Sequence, residues 1–323
     1  MLIFCTLFNS LYLSRGLAMH NSLEKYCSNF HLFIFAFDDK SLEYLKKLNL
    51  KHTTIISLKE FEDEELLRVK PTRAVGEYFW TCTSSVLLYI LNNYDVDHCT
   101  YIDSDLYFFS SPQVLYDEMR NDSILITPHH YTKKYDQSKK TGIYCVQYMT
   151  FKKDEKGLAA LTWWRNSCIE WCFSRFENGR FGDQKYLDDW PERFEGVYVC
   201  ENLGAGVAPW NMQQYEFVKE NDIITGTEIV TGNKFDIIFF HFHSTIFVSP
   251  TFFSPRPFYK RNESVIRLLF NPYIKEICRI REEKTEVKNM EVYLFGGKKI
   301  KYFVELFLRR GLKEIYYNRI LHK

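Results

Sequence analysis

The sequence predicts an α/β protein with a mostly parallel central sheet and helices on both faces. Short apolar runs alternate with segments of helical spacing along the first half of the chain. This alternation is typical of βαβ units, in which a helix joins successive parallel strands. With 323 residues, 46% of them hydrophobic and 17% aromatic, the chain is also long enough and apolar enough to bury a sizeable core.

Each predicted strand is a short apolar run bounded by polar, glycine or proline residues. The predicted strands are residues 2–8, 31–37, 52–58, 98–103, 123–127, 141–151 and 235–243. The predicted helices carry apolar residues at helical spacing. They are residues 10–27, 40–50, 76–94, 155–176 and 182–191, the last a short helix closed by Pro191.

After Pro257 the pattern becomes helical again, and residues 298–323 form a basic amphipathic segment. We therefore predict two regions, a main α/β domain over residues 1–255 and a helical basic extension over residues 256–323. The extension has 17 Lys and Arg against 8 Glu, a charge of +9, and the rest of the chain carries −8. Such asymmetry is typical of a segment with an anionic partner.

The basic segment has two interpretations. A helix of this kind packs its apolar stripe on its own protein, or it rests on an anionic membrane surface. No nucleic-acid recognition motif accompanies the charge, so we predict no nucleic-acid partner.

The chain is predicted to be cytoplasmic. Nine cysteines, an odd number without a CxxC pair, lie mostly in apolar runs, a usage that suits a reducing compartment. The first residues lack a basic leader region and a cleavage site, so we interpret them as a buried strand. No apolar run approaches the roughly 18 residues that a membrane-spanning helix needs.

Asp103 and Asp105 lie at the end of the fourth predicted strand, inside the segment YIDSDLYFF. Ligands of parallel sheets bind beyond the carboxyl ends of the strands. At positions i and i+2 of extended backbone, both carboxylates point to one side and repel each other unless a divalent cation lies between them. Mg²⁺ and Mn²⁺ suit such oxygen ligands. The alternative is two solvated aspartates in a turn.

His241 and His243 end the last predicted strand, again on one face. A lone histidine there is more often a core residue, but two of them before a polar loop favour a ligand role. Imidazole added to carboxylates shifts the preference from Mg²⁺ towards Mn²⁺.

Asp183 and Gln184 follow Gly182 where a loop enters a helix. Asp183 is then either a helix N-cap or one of a polar pair that points into a cleft and stabilises developing charge. The local sequence does not separate these interpretations.

Taken in order, these segments resemble the retaining nucleotide-sugar glycosyltransferases of the GT-A fold, the family of glycogenin and the bacterial lipopolysaccharide galactosyl- and glucosyltransferases. The matching segments are residues 6–23, 101–109, 182–190 and 237–244, within about residues 1–250.

The resemblance implies a role for each matched residue. Asp103 and Asp105 would bind Mn²⁺ or Mg²⁺ together with His241, with His243 as the rival ligand. Asp183 and Gln184 would be catalytic, beside the transferred sugar. The residues implied in binding the donor are Thr6, Asn9, Tyr12, Arg73, Asp103 and Ser104.

The chain also departs from the family pattern. Cys145 and Gln147 stand near the usual Asn and Gly of an Asn-Ser-Gly element. The closing HxxGxxKPW motif is absent, and Arg256, Pro257 and Phe258 are the nearest substitute for its Lys-Pro-Trp.

The resemblance implies a metal-dependent transferase that moves a hexose from a UDP-sugar, with retention, to a glycan or lipid-linked saccharide of a surface polysaccharide or lipopolysaccharide. The basic segment would bring it to the inner face of the membrane. A catalytically silent scaffold or glycan-binding protein of the same fold is the alternative, although such a protein has no chemical reason to keep all these segments. A dehalogenase-type phosphatase is disfavoured, because that family needs Thr or Val two residues after the second Asp and this chain has Tyr107 there. A nucleotidyltransferase is disfavoured, because the opening segment lacks the glycine-rich phosphate loop that such an enzyme needs.

Overall fold

A seven-stranded sheet forms the centre of the protein in the computed structural model, which describes residues 1–249, 252–255 and 259–291. The described strands, in chain order, are β1 (Leu2–Phe8), β2 (Phe30–Ala36), β3 (Thr53–Ser57), β4 (His98–Ile102), β5 (Leu106–Phe108), β6 (Ile124–Pro128), β7 (Tyr144–Lys152), β8 (Val197–Val199), β9 (Ala205–Val207), β10 (Tyr215–Glu220), β11 (Ile223–Glu228), β12 (Lys234–Asp236), β13 (Phe239–His241), β14 (Thr245–Ser249) and β15 (Phe252–Pro255).

The central sheet has the strand order β3-β2-β1-β4-β7-β6-β8. Within it β7 runs antiparallel to both of its neighbours, β4 and β6, and the remaining pairs are parallel. The prediction of a mostly parallel sheet is therefore confirmed. A smaller sheet in the order β5-β13-β9 brings together segments far apart in the chain.

Helices cover both faces of the central sheet. In chain order the described helices are α1 (Leu13–Tyr26), α2 (Asp39–Leu48), α3 (Leu58–Phe61), α4 (Glu64–Val69), α5 (Val75–Asn93), α6 (Gln113–Glu118), α7 (Ser138–Thr141), α8 (Glu155–Glu170), α9 (Trp190–Arg193), α10 (Glu263–Val265), α11 (Asn271–Glu283) and α12 (Thr285–Met290). Strand β1 shows why two layers form, because Phe4 and Phe8 face one hydrophobic cluster while Cys5 and Leu7 face the other. The first cluster includes α1 and α11 residues, and the second packs α5 and α8.

Three predicted elements differ from the structure. The helix predicted over residues 155–176 ends at Glu170. The segment 182–191 is a 3-10 helix over Lys185–Asp189, and Pro191 lies in the first turn of α9 instead of ending a helix, because its fixed φ and missing N–H suit that position. The strand predicted over 235–243 is divided, since β12 and β13 join different sheets.

The helices after residue 260 pack onto α1. Ser14 in α1 donates its backbone N–H to Glu291 over 2.8 Å, and Arg281 in α11 donates its Nε–H to the same carboxylate over 2.8 Å. Both partners of this ion pair are buried. The proposed boundary at residue 255 stays a prediction, and residues 298–323 lie outside the described part of the chain.

Replacing Arg281 with Met is expected to lower the free energy of unfolding by about 3–5 kcal/mol, because Glu291 is then left buried and uncompensated. Urea unfolding measures the difference. Arg279→Met is the matched control, since Arg279 pairs with Glu276 and Glu283 at the surface and such pairs contribute about 0–1 kcal/mol. Equal losses in the two variants would contradict the expectation.

Candidate active site

Asp103, Asp105 and His241 meet at the carboxyl edge of the central sheet. Asp103 directly follows β4, Asp105 directly precedes β5, and His241 is the last residue of β13. Antiparallel pairing sets His241 opposite Leu106, next to Asp105. One ligand atom from each of the three side chains lies within 4.8 Å of the others.

Backbone hydrogen bonds fix the two aspartates. The N–H of Asp103 donates to the carbonyl oxygen of Gln147 over 2.9 Å, and the N–H of Phe242 donates to the carbonyl oxygen of Asp105 over 2.9 Å. The Tyr101 hydroxyl donates to Asp103 Oδ1 over 2.9 Å. Neighbouring segments therefore hold the backbones of both aspartates, and Tyr101 of β4 holds the Asp103 carboxylate.

The three side chains are strongly coupled by charge. His241 Nε2 lies 3.1 Å from Asp105 Oδ1 and 3.5 Å from Asp103 Oδ2. Burial opposes the charged imidazole, but the Asp105 carboxylate raises the pKa of His241 well above its usual value. Burial likewise opposes the Asp105 charge, and His241 nevertheless lowers the pKa of that carboxyl to about 2. Burial raises the pKa of Asp103. A positive charge at this point thus favours the ionised aspartates.

His241 is oriented from its other side as well. Its Nδ1 lies 2.7 Å from Gln147 Oε1, and the Trp210 ring stands nearly perpendicular to the imidazole with the ring centres 5.5 Å apart. His243, the rival metal ligand, is exposed and lies outside the three-residue group, with its ring centre 5.5 Å from that of His241.

Asp183 is buried beside the three-residue group, and its side chain does not cap a helix. Burial and then the Asp103 charge raise the pKa of Asp183 to about 7, against a hydrogen bond from Thr83. The backbone carbonyl of Asp183 accepts from Trp164 Nε1 over 2.9 Å. Gln184 occupies the N-cap position of the following 3-10 helix without a capping side-chain bond, and its Nε2 donates to Thr141 O over 2.6 Å.

A cavity of ≈ 670 Å³ joins these groups. Asp103, His241, Asp183 and Gln184 line it together. Eight further lining residues are aromatic: Trp80, Tyr101, His129, Tyr131, Tyr135, Phe181, Trp210 and Tyr259. None of these eight is among the site residues predicted from the sequence. Polar side chains, among them Thr83, Thr141 and Gln147, also line the cavity, and aromatic walls with converging polar groups are typical of a small-molecule site.

The residues predicted to bind the donor lie around β1 and the aspartates. Thr6 is fully buried within β1, and Ser104 is buried between the two aspartates. Asn9 Oδ1 accepts from the backbone N–H of Leu11 over 3.1 Å. Tyr12 is partly exposed. The described residues that line the cavity do not include Thr6, Asn9, Tyr12 or Ser104. The role of these four residues in donor binding stays a prediction.

Arg73 does not line this cavity. Its Nη2 donates to the carbonyl oxygen of Ile169 over 3.1 Å, and its guanidinium lies 4.0 Å from the centre of the Phe173 ring. A cation at the last carbonyls of α8 is favourable for the helix dipole. The described contacts therefore give Arg73 a part in holding α8, and its contact with donor phosphates stays a prediction. Arg256, Pro257 and Phe258 lie outside the described residues.

The sequence marks Gln147 only as a departure from the family pattern. It lies in the middle of β7 with no exposed surface. An amide side chain in the mostly apolar run YCVQYMTF is the signal that the sequence offers. Its partner His241 was not predictable from that run, since the two residues are 94 positions apart.

Comparisons with known proteins give two relatives and one fold. No protein-family model matches the chain. YfnD of Bacillus subtilis (strain 168) is 29% identical over 285 residues, covering 87% of this chain and 90% of YfnD. YfnF of the same strain is 30% identical over 254 residues, covering 76% of this chain and 82% of YfnF. Both relatives are uncharacterized proteins.

Among solved structures, an active-site mutant of LgtC superposes with a TM-score of 0.54 at 10% identity, covering 86% of this chain and 95% of LgtC. LgtC is a galactosyltransferase, and its structure is known with donor and acceptor sugar analogs. At this level of identity the likeness shows the fold, which is the GT-A fold that the sequence predicted.

Proposed function

We propose that this chain, which belongs to the same family as YfnD and YfnF, is a metal-dependent glycosyltransferase that moves a hexose from a UDP-sugar, with retention, to a glycan or lipid-linked saccharide of a surface polysaccharide. The observation that carries the proposal is the convergence of Asp103, Asp105 and His241 beside a cavity that also holds Asp183. The GT-A fold, shared with the galactosyltransferase LgtC, supports the same reaction class by analogy.

The three side chains fit a divalent cation. Two carboxylates and one imidazole are the ligand set that suits Mn²⁺ better than Mg²⁺. Their ligand atoms already lie within 4.8 Å of one another, and the imidazole Nε2 faces both carboxylates. When bound there, the cation supplies positive charge to the donor's diphosphate as it leaves.

The protein's own residues position the candidate metal ligands and provide a group for proton transfer. Asp105 and Asp103 are held by backbone hydrogen bonds, so the site is formed before the donor arrives. Asp183 and Gln184 lie on the cavity wall, where the transferred sugar and the acceptor would meet. With a pKa of about 7, Asp183 is able to accept or donate a proton near neutral pH.

The acceptor is assigned by analogy and by the charge of the chain's last segment. A lipid-linked saccharide agrees with the basic amphipathic sequence of residues 298–323, which lie outside the described residues. Within the described part, no helix combines the length and the apolar character needed to cross a membrane.

Calorimetric titration of UDP, GDP and CMP into the purified protein, with and without Mn²⁺, tests the proposal. We expect UDP to bind only when Mn²⁺ is present. A preference for GDP or CMP would keep the reaction class and replace the donor. If no nucleotide binds under either condition, the proposal is wrong and the silent scaffold of the same fold becomes the better account.

A further inference from the structure

Gln147 joins two of the three candidate metal ligands. Its backbone carbonyl accepts the N–H of Asp103 over 2.9 Å, and its side-chain Oε1 lies 2.7 Å from Nδ1 of His241. It has no exposed surface. One residue of β7 therefore contacts both the aspartate that follows β4 and the histidine that ends β13.

The contact with His241 determines which imidazole nitrogen faces the aspartates. Because a side-chain amide oxygen only accepts hydrogen bonds, Nδ1 carries a hydrogen and donates it to Gln147. Nε2 is then the nitrogen available as a ligand, and it points at Asp105 and Asp103. Without the Gln147 oxygen, the Nδ1–H group loses this acceptor, and the imidazole is free to rotate away from the aspartates.

The side-chain amide of Gln147 packs against Gly206, where a larger residue would collide with it. Gly206 in β9 has a φ of +120°, and a Cβ there would lie 2.9 Å from Gln147 Nε2. That nitrogen is buried and has no hydrogen-bond partner among the described residues. Among the described residues, the hydrogen bond of the Gln147 side chain is therefore the one to His241.

We propose that Gln147 is a positioning residue for the metal site: its side chain fixes the ring orientation and tautomer of His241, while its backbone fixes Asp103. The inference rests on the proposed function in so far as it assigns a metal to these ligands. Partners that orient a metal-binding histidine typically change metal affinity or activity about 10–100-fold when they are removed.

Three variants test this proposal. Gln147→Leu keeps the approximate size of the side chain and removes the acceptor. Gln147→Glu keeps an oxygen that accepts from His241 Nδ1, so it serves as the conservative rescue. Thr150→Val is the matched structural control, because Thr150 is a buried polar residue of the same strand. Among the described residues, its hydroxyl is hydrogen-bonded to that of Thr100, over 2.8 Å.

Two measurements on the full chain use readouts other than catalytic activity. The first is Mn²⁺ affinity with the metal alone, together with the nitrogen coupling of bound Mn²⁺ in pulsed electron paramagnetic resonance. We expect Gln147→Leu to bind Mn²⁺ about 10–100-fold more weakly and to lose or alter the coupling, whereas Gln147→Glu and Thr150→Val keep both.

The second measurement is the NMR signal of the His241 imidazole proton in metal-free protein. We expect a slowly exchanging Nδ1 proton in the wild type that exchanges rapidly in Gln147→Leu.

Several results would overturn the positioning role. Wild-type Mn²⁺ affinity and coupling in Gln147→Leu would do so, and so would equal losses in Gln147→Leu and Thr150→Val, because these would indicate packing alone. If the wild type binds no Mn²⁺ even with nucleotide, the proposed function loses its metal. The NMR measurement then decides the positioning of His241 separately, and an unchanged imidazole proton in Gln147→Leu would refute it.

Discussion

Asp105→Asn is expected to abolish Mn²⁺-dependent nucleotide binding and to lower the rate of hexose transfer at least about 1,000-fold. Asp105 is the carboxylate closest to His241 Nε2, at 3.1 Å, and His241 holds its pKa at about 2 against the effect of burial, so it is ionised at any working pH. Asparagine keeps the shape and removes the negative charge. A catalytic metal typically contributes several kcal/mol, and each 1.36 kcal/mol is tenfold in rate.

The measurement is nucleotide titration with Mn²⁺, followed by assays of transfer from UDP-sugars. The fold should survive, because the backbone carbonyl of Asp105, which accepts the N–H of Phe242, is unchanged. Asp95→Asn, which alters an exposed carboxylate away from the site, is the control and should behave as the wild type. Unchanged Mn²⁺-dependent binding in Asp105→Asn would remove the metal from the proposed mechanism.

Asp183→Asn is expected to lower kcat about 100- to 10,000-fold while the affinity for nucleotide changes little. This range is the usual contribution of a general acid or base, and a carboxyl with a pKa of about 7 on the cavity wall is suited to that role. Steady-state kinetics separate kcat from KM. A variant with unchanged kcat, or one that loses nucleotide binding instead, would contradict the assignment.

The same variant should change how stability depends on pH in metal-free protein. The pKa of Asp183 is raised from 3.8 in the unfolded chain to about 7 in the folded protein, so the folded state binds the extra proton. The contribution of this group to stability therefore falls as the pH rises from about 4 to about 7. Above pH 7, Asp183→Asn should be more stable than the wild type, by up to about 4 kcal/mol. Near pH 4 the two should unfold alike, and chemical unfolding at the two pH values measures the difference.

Much of the fold was predictable because its signals are local. Each strand of the first half is an apolar run, and each long helix shows apolar residues at helical spacing, as in α5. Where the prediction was wrong, the deciding contacts are tertiary. The separation of β12 from β13 depends on which sheet each segment joins. The 3-10 helix over Lys185–Asp189 makes contacts with distant residues, such as the hydrogen bond that Ile143 N–H donates to Asp188 Oδ1 over 2.8 Å. Pro191 was predicted to close a helix, but proline is also accepted in the first turn of a helix, which is where the structure places it.

The candidate site was partly predictable for the same reason. The sequence placed Asp103 and Asp105 just beyond the end of a strand, as the structure does. The extended backbone assumed for the pair was wrong, because Ser104 and Asp105 lie in a turn in which Leu106 N–H donates to the Asp103 carbonyl oxygen over 3.1 Å. The sequence left His241 and His243 as rivals, and only the pairing of β13 with β5 brings His241 to the aspartates. The role of Arg73 in donor binding stays a prediction, and the sequence did not indicate the contact of its guanidinium with the end of α8.

By itself the sequence determined the α/β class, the order of the main elements and the residue types of the candidate metal site, because periodicity and strand ends are signals that extend over a few residues. Only the tertiary structure decided which side chains meet. Gln147 and His241 are 94 positions apart, and their contact depends on β7 pairing with β4 and on β13 pairing with β5. Strand pairing between distant segments depends on how the whole sheet packs, so no local pattern encodes that contact.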